Sequence, residues 1–295
     1  IDEAINGHAN KIWVTLKKDG QTVSVADNGR GIPVDIHPKA GVPTLQVILT
    51  TLHAGGKFDQ GSYSTSGGLH GVGSSVVNAL SSKLVATVRR DGFEFQQEFR
   101  RGKMATELTT IREFRGTGTC IEFKPDAKIF SSIDFDADLV KKRLEISAFL
   151  NKGLRIIFVD EKKNFREEMQ YDGGVEDFLK REIGGQRPIG KKFFTFFRTE
   201  LPRIDIALCW TSEPTERIRS FVNGIPTNDG GTHEQGVKDA ILKTIRSYID
   251  TQSITLPRGV KLTAEDIREG VTGIFSCFIA EPQFQGQTKD KLNNP

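Results

Sequence analysis

The spacing of hydrophobic positions changes period several times along the chain, and each change marks a new element. An opening helix is predicted to about Ala9, after which Ile12, Val14 and Leu16 alternate with more polar neighbours, the period of a strand with one covered face. Val23 and Val25 continue as a second strand, and Asp19 with Gly20 supplies a turn that makes the two a hairpin. Leu45, Ile48, Leu49 and Leu52 follow i, i+3, i+4, i+7 spacing, which lines one face of a helix ending near Gly55 and Gly56. A glycine-rich stretch runs from Gly61 to Gly73, and Val76, Val77 and Leu80 then restart a short helix. Strands over 84–88 and 93–99 flank Asp91 and Gly92, a strong two-residue hairpin signal. A strand over 119–123, a helix carrying Leu139, Val140, Leu144 and Ala148, and a strand over 154–159 follow.

Val175, Phe178 and Leu179 mark a further helix, and Gly184, Gly185 and Pro188 make the best break in the chain. Strands are then expected over 193–197, 204–210, 221–223 and 274–279, with a long helix through Val237, Ile241, Ile245 and Ile249. The pattern is α+β with a mainly antiparallel sheet. At 295 residues two domains are expected, 1–185 and 186–295.

Composition narrows the class. With 37% hydrophobic and 27% charged residues the chain is neither disordered nor membrane-embedded, and no apolar run approaches the roughly 20 residues of a membrane helix. Lys and Arg total 41 against 38 Asp and Glu, and a net charge of +3 is too small to imply nucleic acid binding by bulk field, so any DNA contact is local. Cys120, Cys209 and Cys277 are odd in number, far apart and without metal-ligand spacing, which fits a reduced, cytosolic chain and no protein-bound metal cluster.

Four short segments carry candidate chemistry. No Gly-x-x-x-x-Gly-Lys-Ser/Thr occurs, so a P-loop is excluded. Ser66 to Ser75 instead places four glycines before a helix, where unpaired amides and the helix dipole bind phosphate without a lysine; a glycine-rich surface loop is equally open. A Rossmann fingerprint is poorer, because the residues from Gly61 to Thr65 are turn-formers rather than strand. Asp27, Asn28, Gly29, Arg30, Gly31, Ile32 and Pro33 put a carboxylate at a strand end before glycines that admit a planar ring, as amino-purine recognition requires, or they form a plain Asx turn. Gly116 to Thr119 reads by itself as a hairpin loop, and Lys289 in Gln287-Thr288-Lys289 as a solvated charge.

Together and in this order the four segments resemble the Bergerat-fold (GHKL) ATPases, and within them the B subunits of DNA gyrase and topoisomerase IV. The resemblance covers essentially the whole chain, with 53–58 similar to a His-Ala-Gly-Gly-Lys-Phe segment, 66–73 to the ATP lid and 285–292 to the Gln-Thr-Lys loop. It implies a GHKL sandwich followed by a transducer domain similar to domain 2 of ribosomal protein S5. Asp27 would accept the adenine amino group, with Gly31 and Thr119 holding a water beside it. Gly68, Leu69, His70, Gly71, Val72 and Gly73 would cradle the phosphates, and Lys57 and Tyr63 would lie along the phosphate and ribose side. Glu3 and Arg30 would pair at the pocket base with Arg30 over the purine, Arg90 would stand at the mouth, and Gln287 and Lys289 would be the catalytic contacts to the γ-phosphate.

The resemblance also implies ATP with Mg2+, an ATP-dependent homodimer, a topoisomerase A-type subunit, double-stranded DNA as substrate, aminocoumarin-like inhibitors and a bacterial cytoplasmic location. The family's general-base Glu and Mg-binding Asn precede the Asp-Glu pair, which here is Asp2 and Glu3, so both are expected upstream of Ile1; the sequence reads as cut at both ends. One alternative is therefore a module that binds ATP without turning it over. Another is a different GHKL protein, such as a sensor kinase, a mismatch-repair clamp or a chaperone, against which the Gln-Thr-Lys loop and Leu256 to Gly259 argue.

Overall fold

A short helix α1 (Asp2–Ile5) leads into strands β1 (Lys11–Leu16) and β2 (Val23–Asp27) in a computed structural model that describes residues 2–54, 71–260 and 262–295. The chain divides into two units, Ile1–Asp172 and Gly173–Pro295, each with its own sheet. The helix stops well before Ala9, because Gly7 turns the chain at φ 78° and the amides of His8 and Ala9 close back on the Glu3 carbonyl.

The predicted hairpin forms, with Ile12, Val14 and Leu16 buried. Its turn is fixed by Asp19, whose Oδ1 accepts from the amides of Gln21 and Thr22 at 2.9 Å while Gly20 takes φ 69°. Helices α2 (Thr44–Thr50) and α3 (Gly73–Ala79) precede β3 (Ser81–Arg90) and β4 (Phe93–Arg100), joined by Asp91 and Gly92 at φ 53° and 85°, the two positive values of a type I′ turn. The short β5 (Lys103–Met104) and β6 (Thr109–Glu113) pair with β4, and β7 (Gly118–Pro125), α4 (Ala137–Leu150), β8 (Arg155–Asp160) and β9 (Phe165–Met169) complete the unit. The strand order is β5-β4-β3-β7-β2-β1-β8-β9. Among the described residues every pairing in this sheet is antiparallel except β1 with β8.

Among the described residues two apolar clusters cover this sheet. One joins Ile12, Val14, Leu16 and Val23 to Ala148, Ile156 and Phe158, with Val140 and Leu144 of α4 packed against it. The other sets Leu45 and Leu49 of α2 on Leu84, Ala86, Val88 and Phe99. Helix α2 ends at Thr50, before the expected glycines, so Leu52 is exposed rather than on the buried face, and Val47 is buried instead. The buried positions of α3 are Ser75 and Asn78, while Val76 and Val77 are partly exposed.

In the second unit α5 (Val175–Ile183) precedes β10 (Pro188–Arg198), β11 (Arg203–Thr211), β12 (Arg217–Val222), β13 (Ile225–Pro226), α6 (Thr232–Thr251), α7 (Ala264–Arg268) and β14 (Val271–Phe278). The sheet runs β10-β11-β14-β12-β13, with β12 and β14 parallel and every residue of β14 buried. Helix α5 buries Phe178, Leu179 and Ile183 and lies against β11 and β14. The division therefore falls at Asp172 and Gly173 rather than near residue 185: Gly184 is the C-cap of a helix that belongs to the second sheet, not a linker.

Candidate functional site

Residues directly opposite one another in neighbouring strands share a face of the sheet. Val14 pairs with Val25, Val25 with Ile121 and Ile121 with Ala86, so this row lies on the face that carries both apolar clusters. Val14 and Ala86 are buried, but Val25 between them is 39% exposed. The adjacent row, Ile12, Asp27, Thr119 and Val88, places one carboxylate and one hydroxyl beside that bare apolar strip. The result is a flat apolar floor with a single acid at its end, suited to an aromatic ring that carries a hydrogen-bond donor.

Local bonds fix the acid. Asp27 Oδ1 accepts from the amide of Gly29 at 2.8 Å and, at 3.4 Å, from that of Thr119; among the described residues nothing donates to Oδ2. Burial pushes the Asp27 carboxyl above the usual carboxylate range, the two amides opposing that shift without cancelling it. Thr119 Oγ1 accepts from the amide of Ile32 at 3.2 Å, which draws the turn toward β7. A side chain at Gly118, at φ 148°, would run into the Asp27 carbonyl, and one at Gly31, at φ 77°, would come within 2.7 Å of the Arg89 carbonyl. Both positions therefore require glycine for the strands to close around the acid.

The turn is tied on three further sides. Glu3 Oε1 lies 2.9 Å from Arg30 Nη2, and Glu3 Oε2 accepts from the Arg30 amide at 3.1 Å, so α1 is pinned to the turn as expected. Arg90 Nη1 donates to the Gly31 carbonyl at 3.0 Å. Asn28, to which sequence reasoning assigns no role, accepts from the amides of Asn10 and Lys11 at 3.1 and 3.0 Å and donates to the Asn10 side chain at 2.7 Å. It clips the turn to the start of β1, and the only sequence signal for it is an Asn following an Asp before glycine.

Gly71, Val72 and Gly73 lie at the start of α3, whose first amides receive no side-chain cap. That helix is held beside α2 by polar bonds, Ser74 Oγ to the Ile48 carbonyl at 3.2 Å and Asn78 Nδ2 to the Leu49 carbonyl at 2.8 Å. In the second unit, Gln287 and Lys289 occupy a loop closed by a bridge between Phe284 and Leu292, with Lys289 at φ 63°.

The family model described as histidine kinase-, DNA gyrase B- and HSP90-like ATPase matches residues 1–129, and the DNA gyrase B model matches residues 174–295. The ATPase domain of Thermus thermophilus gyrase B, solved with an aminocoumarin, is 35% identical with a TM-score of 0.84 over 100% of this chain and 76% of that one. The topoisomerase IV ATP-binding domain of Francisella tularensis, solved with a small-molecule inhibitor, is 36% identical with a TM-score of 0.82 over 99% of this chain and 78% of that one. The chain belongs to the DNA gyrase B and topoisomerase IV B family. The DNA gyrase B protein of Campylobacter jejuni is 44% identical over all of this chain, which spans 38% of that protein's length.

Of the residues that the likeness to gyrase B and topoisomerase IV B singles out, Asp27, Arg30, Gly31, Arg90 and Thr119 stand together around the β2 turn. Lys57, Tyr63, Gly68, Leu69 and His70 lie outside the described residues. Gln287 and Lys289 belong to the second unit. The GHKL sandwich and transducer expected from that likeness are the two units of the fold.

Proposed function

We propose that this chain is the ATP-binding and ATP-hydrolysing clamp module of a bacterial type IIA DNA topoisomerase. The observation that carries the reading is Asp27: a half-buried carboxylate at the end of an apolar strip, with Oδ1 already occupied by backbone amides and Oδ2 open to a ligand. An adenine laid on Val25 and Ile121 donates its amino hydrogen to Oδ2, Thr119 and Gly31 hold a water at its edge, and Arg30 covers the ring. The amides of 68–73 receive the phosphates, as unpaired amides at a helix start do. Lys57 and Tyr63 flank the phosphates and ribose, and Arg90 guards the mouth.

Gln287 and Lys289 reach the γ-phosphate from the second unit. Such a contact exists only with the triphosphate, so it shifts the balance between two arrangements of the units by the differential affinity of the two nucleotides. ATP then closes two copies of the protein into a homodimeric clamp, and phosphate loss reopens it while an associated A-type subunit passes double-stranded DNA through a break, in the bacterial cytoplasm. Mg2+ accompanies the nucleotide, with the family's Mg-binding Asn expected upstream of Ile1; among the described residues no group of three or more His, Cys, Asp or Glu side chains is placed to hold a metal. Likewise no helix among the described residues is long and apolar enough to cross a membrane.

Calorimetry with a non-hydrolysable ATP analogue tests the site. Asp27→Asn should weaken binding by about 1.5–3 kcal/mol, the worth of a hydrogen bond to a charged group. Equal affinity in both proteins would overturn the adenine assignment. An aminocoumarin-like compound should compete with the analogue, and simultaneous binding of both would relocate the pocket.

A further inference from the structure

The hairpin that ends in Gln287 and Lys289 is held at both ends by one segment. At its entry, Asn223 is buried at φ 52° and exchanges side-chain bonds with the backbone of Ile279, accepting at 2.9 Å and donating to the carbonyl at 3.0 Å. At its exit, the amide of Asp229 donates to the Asp290 carbonyl at 2.9 Å, that of Leu292 to the Gly230 carbonyl at 3.1 Å and that of Thr232 to the Leu292 carbonyl at 3.2 Å. Asn228 Nδ2 donates to Asp290 Oδ1 at 3.0 Å. A Cβ on Gly231 would stand 2.6 Å from the Leu292 amide nitrogen, so the two backbones meet at a distance only glycine allows.

The holding segment is itself rooted. Thr227 bonds the Ser220 hydroxyl at 2.8 Å and the His233 ring at 3.0 Å, and Ser220 donates to Glu234 at 2.7 Å. Leu292 is 3% exposed and packs with Val222, Phe275 and Cys277. The hairpin's last backbone rung joins the amide of Gln285 to the Lys291 carbonyl at 2.9 Å. Beyond that rung the tip 286–290 contains two residues of positive φ, Gly286 at 86° and Lys289 at 63°. A lysine keeps that conformation when its surroundings determine it.

We propose that segment 223–232 is the positioning element of this tip, and that Asn228 and Asp290 are positioning residues through which the protein distinguishes a triphosphate from a diphosphate. The inference rests on the assignment of Lys289 to the γ-phosphate. A contact made only with the third phosphate discriminates in proportion to how well its donor is held in place before binding. A loosened tip loses that discrimination while the adenine end of the site is untouched.

The experiment uses the full-length protein and measures Kd for a non-hydrolysable ATP analogue and for ADP. Asn228→Asp puts two carboxylates in contact at an exposed position, and should weaken the analogue about fivefold to tenfold, the effect of one lost hydrogen bond, with ADP affinity and Tm unchanged. Combining it with Asp290→Asn exchanges donor and acceptor and should restore the preference. Equal losses for both nucleotides, no loss for the analogue, or failure of the exchange to restore it would each overturn the proposal. Lys289→Ala separates the two levels. If it abolishes the analogue's advantage while Asn228→Asp does not, positioning alone is wrong; if it leaves the advantage intact, the γ-phosphate assignment falls and the proposal with it.

Discussion

Asp27 occupies a place where a charge is unfavourable, and that cost has a measurable sign. Burial raises its pKa above the ordinary 3.8, so the folded chain binds this proton more tightly than the unfolded one. The stability this group contributes is fully present below the ordinary value and is lost as pH rises through the raised one. Asp27→Asn should therefore raise Tm at pH 7 relative to the wild type and not at pH 3. Nucleotide affinity should run the other way, falling on acidification as the acceptor is protonated, above the pH at which an ordinary carboxylate titrates. Melting and Kd series across pH 3–8 check both, and superimposable profiles for wild type and variant would refute the role given to the charge. Gly118→Ala should cost about 2 kcal/mol or more in chemical denaturation, since its Cβ would overlap the Asp27 carbonyl and no neighbour there is a flexible side chain. At this scale Asp27, Gly31 and Thr119 are legible in the sequence only as members of a set, because each alone reads as turn chemistry. Asn28 is not legible, because its partners are backbone groups at Asn10 and Lys11 and such bonds leave no periodicity.

Elements with one apolar and one polar face are readable wherever the burial follows the pattern. β1 and the hairpin of β3 and β4 are such cases. The strands that hydrophobic spacing misses are edges: all five residues of β6 are exposed, β5 has two exposed residues, and β9 buries Met169 alone. Their pairing is backbone chemistry, so no alternation announces it. Helix α3 is signalled by Val76 and Val77, yet it docks through Ser74 and Asn78 onto the carbonyls of Ile48 and Leu49, a polar face that hydrophobic spacing cannot register. Cap residues fix helix starts more sharply than spacing does. Asp136 Oδ1 accepts from the amides of Asp138 and Leu139 at 3.0 Å at the start of α4, the helix that covers the first apolar cluster. Asp136→Ala should destabilise the first unit by about 1 kcal/mol in urea titration without changing nucleotide affinity. A loss of affinity equal to the loss of stability would mean that α4 shapes the site.

Two units with separate sheets imply two reporters of ligand binding. A nucleotide at 100 times its Kd stabilises the folded site by about 2.7 kcal/mol. In scanning calorimetry ADP should raise the transition of the first unit alone, whereas a triphosphate analogue should raise both, because under the proposed function only the triphosphate engages Gln287 and Lys289. A second transition that moves equally with ADP would contradict the assignment of that loop. The pairing of β1 with β8 carries a further consequence, for the order of events on the ribosome. These neighbours, both inside the sheet's edges, lie at opposite ends of the first unit's sequence, and theirs is the parallel pairing among its described residues. Until β8 emerges, β1 has an unpaired edge and Ile12, Val14 and Leu16 lack Ile156 and Phe158, so early hairpins cannot mature into the sheet. At bacterial elongation speeds that interval lasts on the order of 10 s, during which the nascent edge is open to wrong partners. Ribosome-bound chains arrested with β8 still inside the exit tunnel should be degraded by protease, and chains extended far enough to release β9 should resist it.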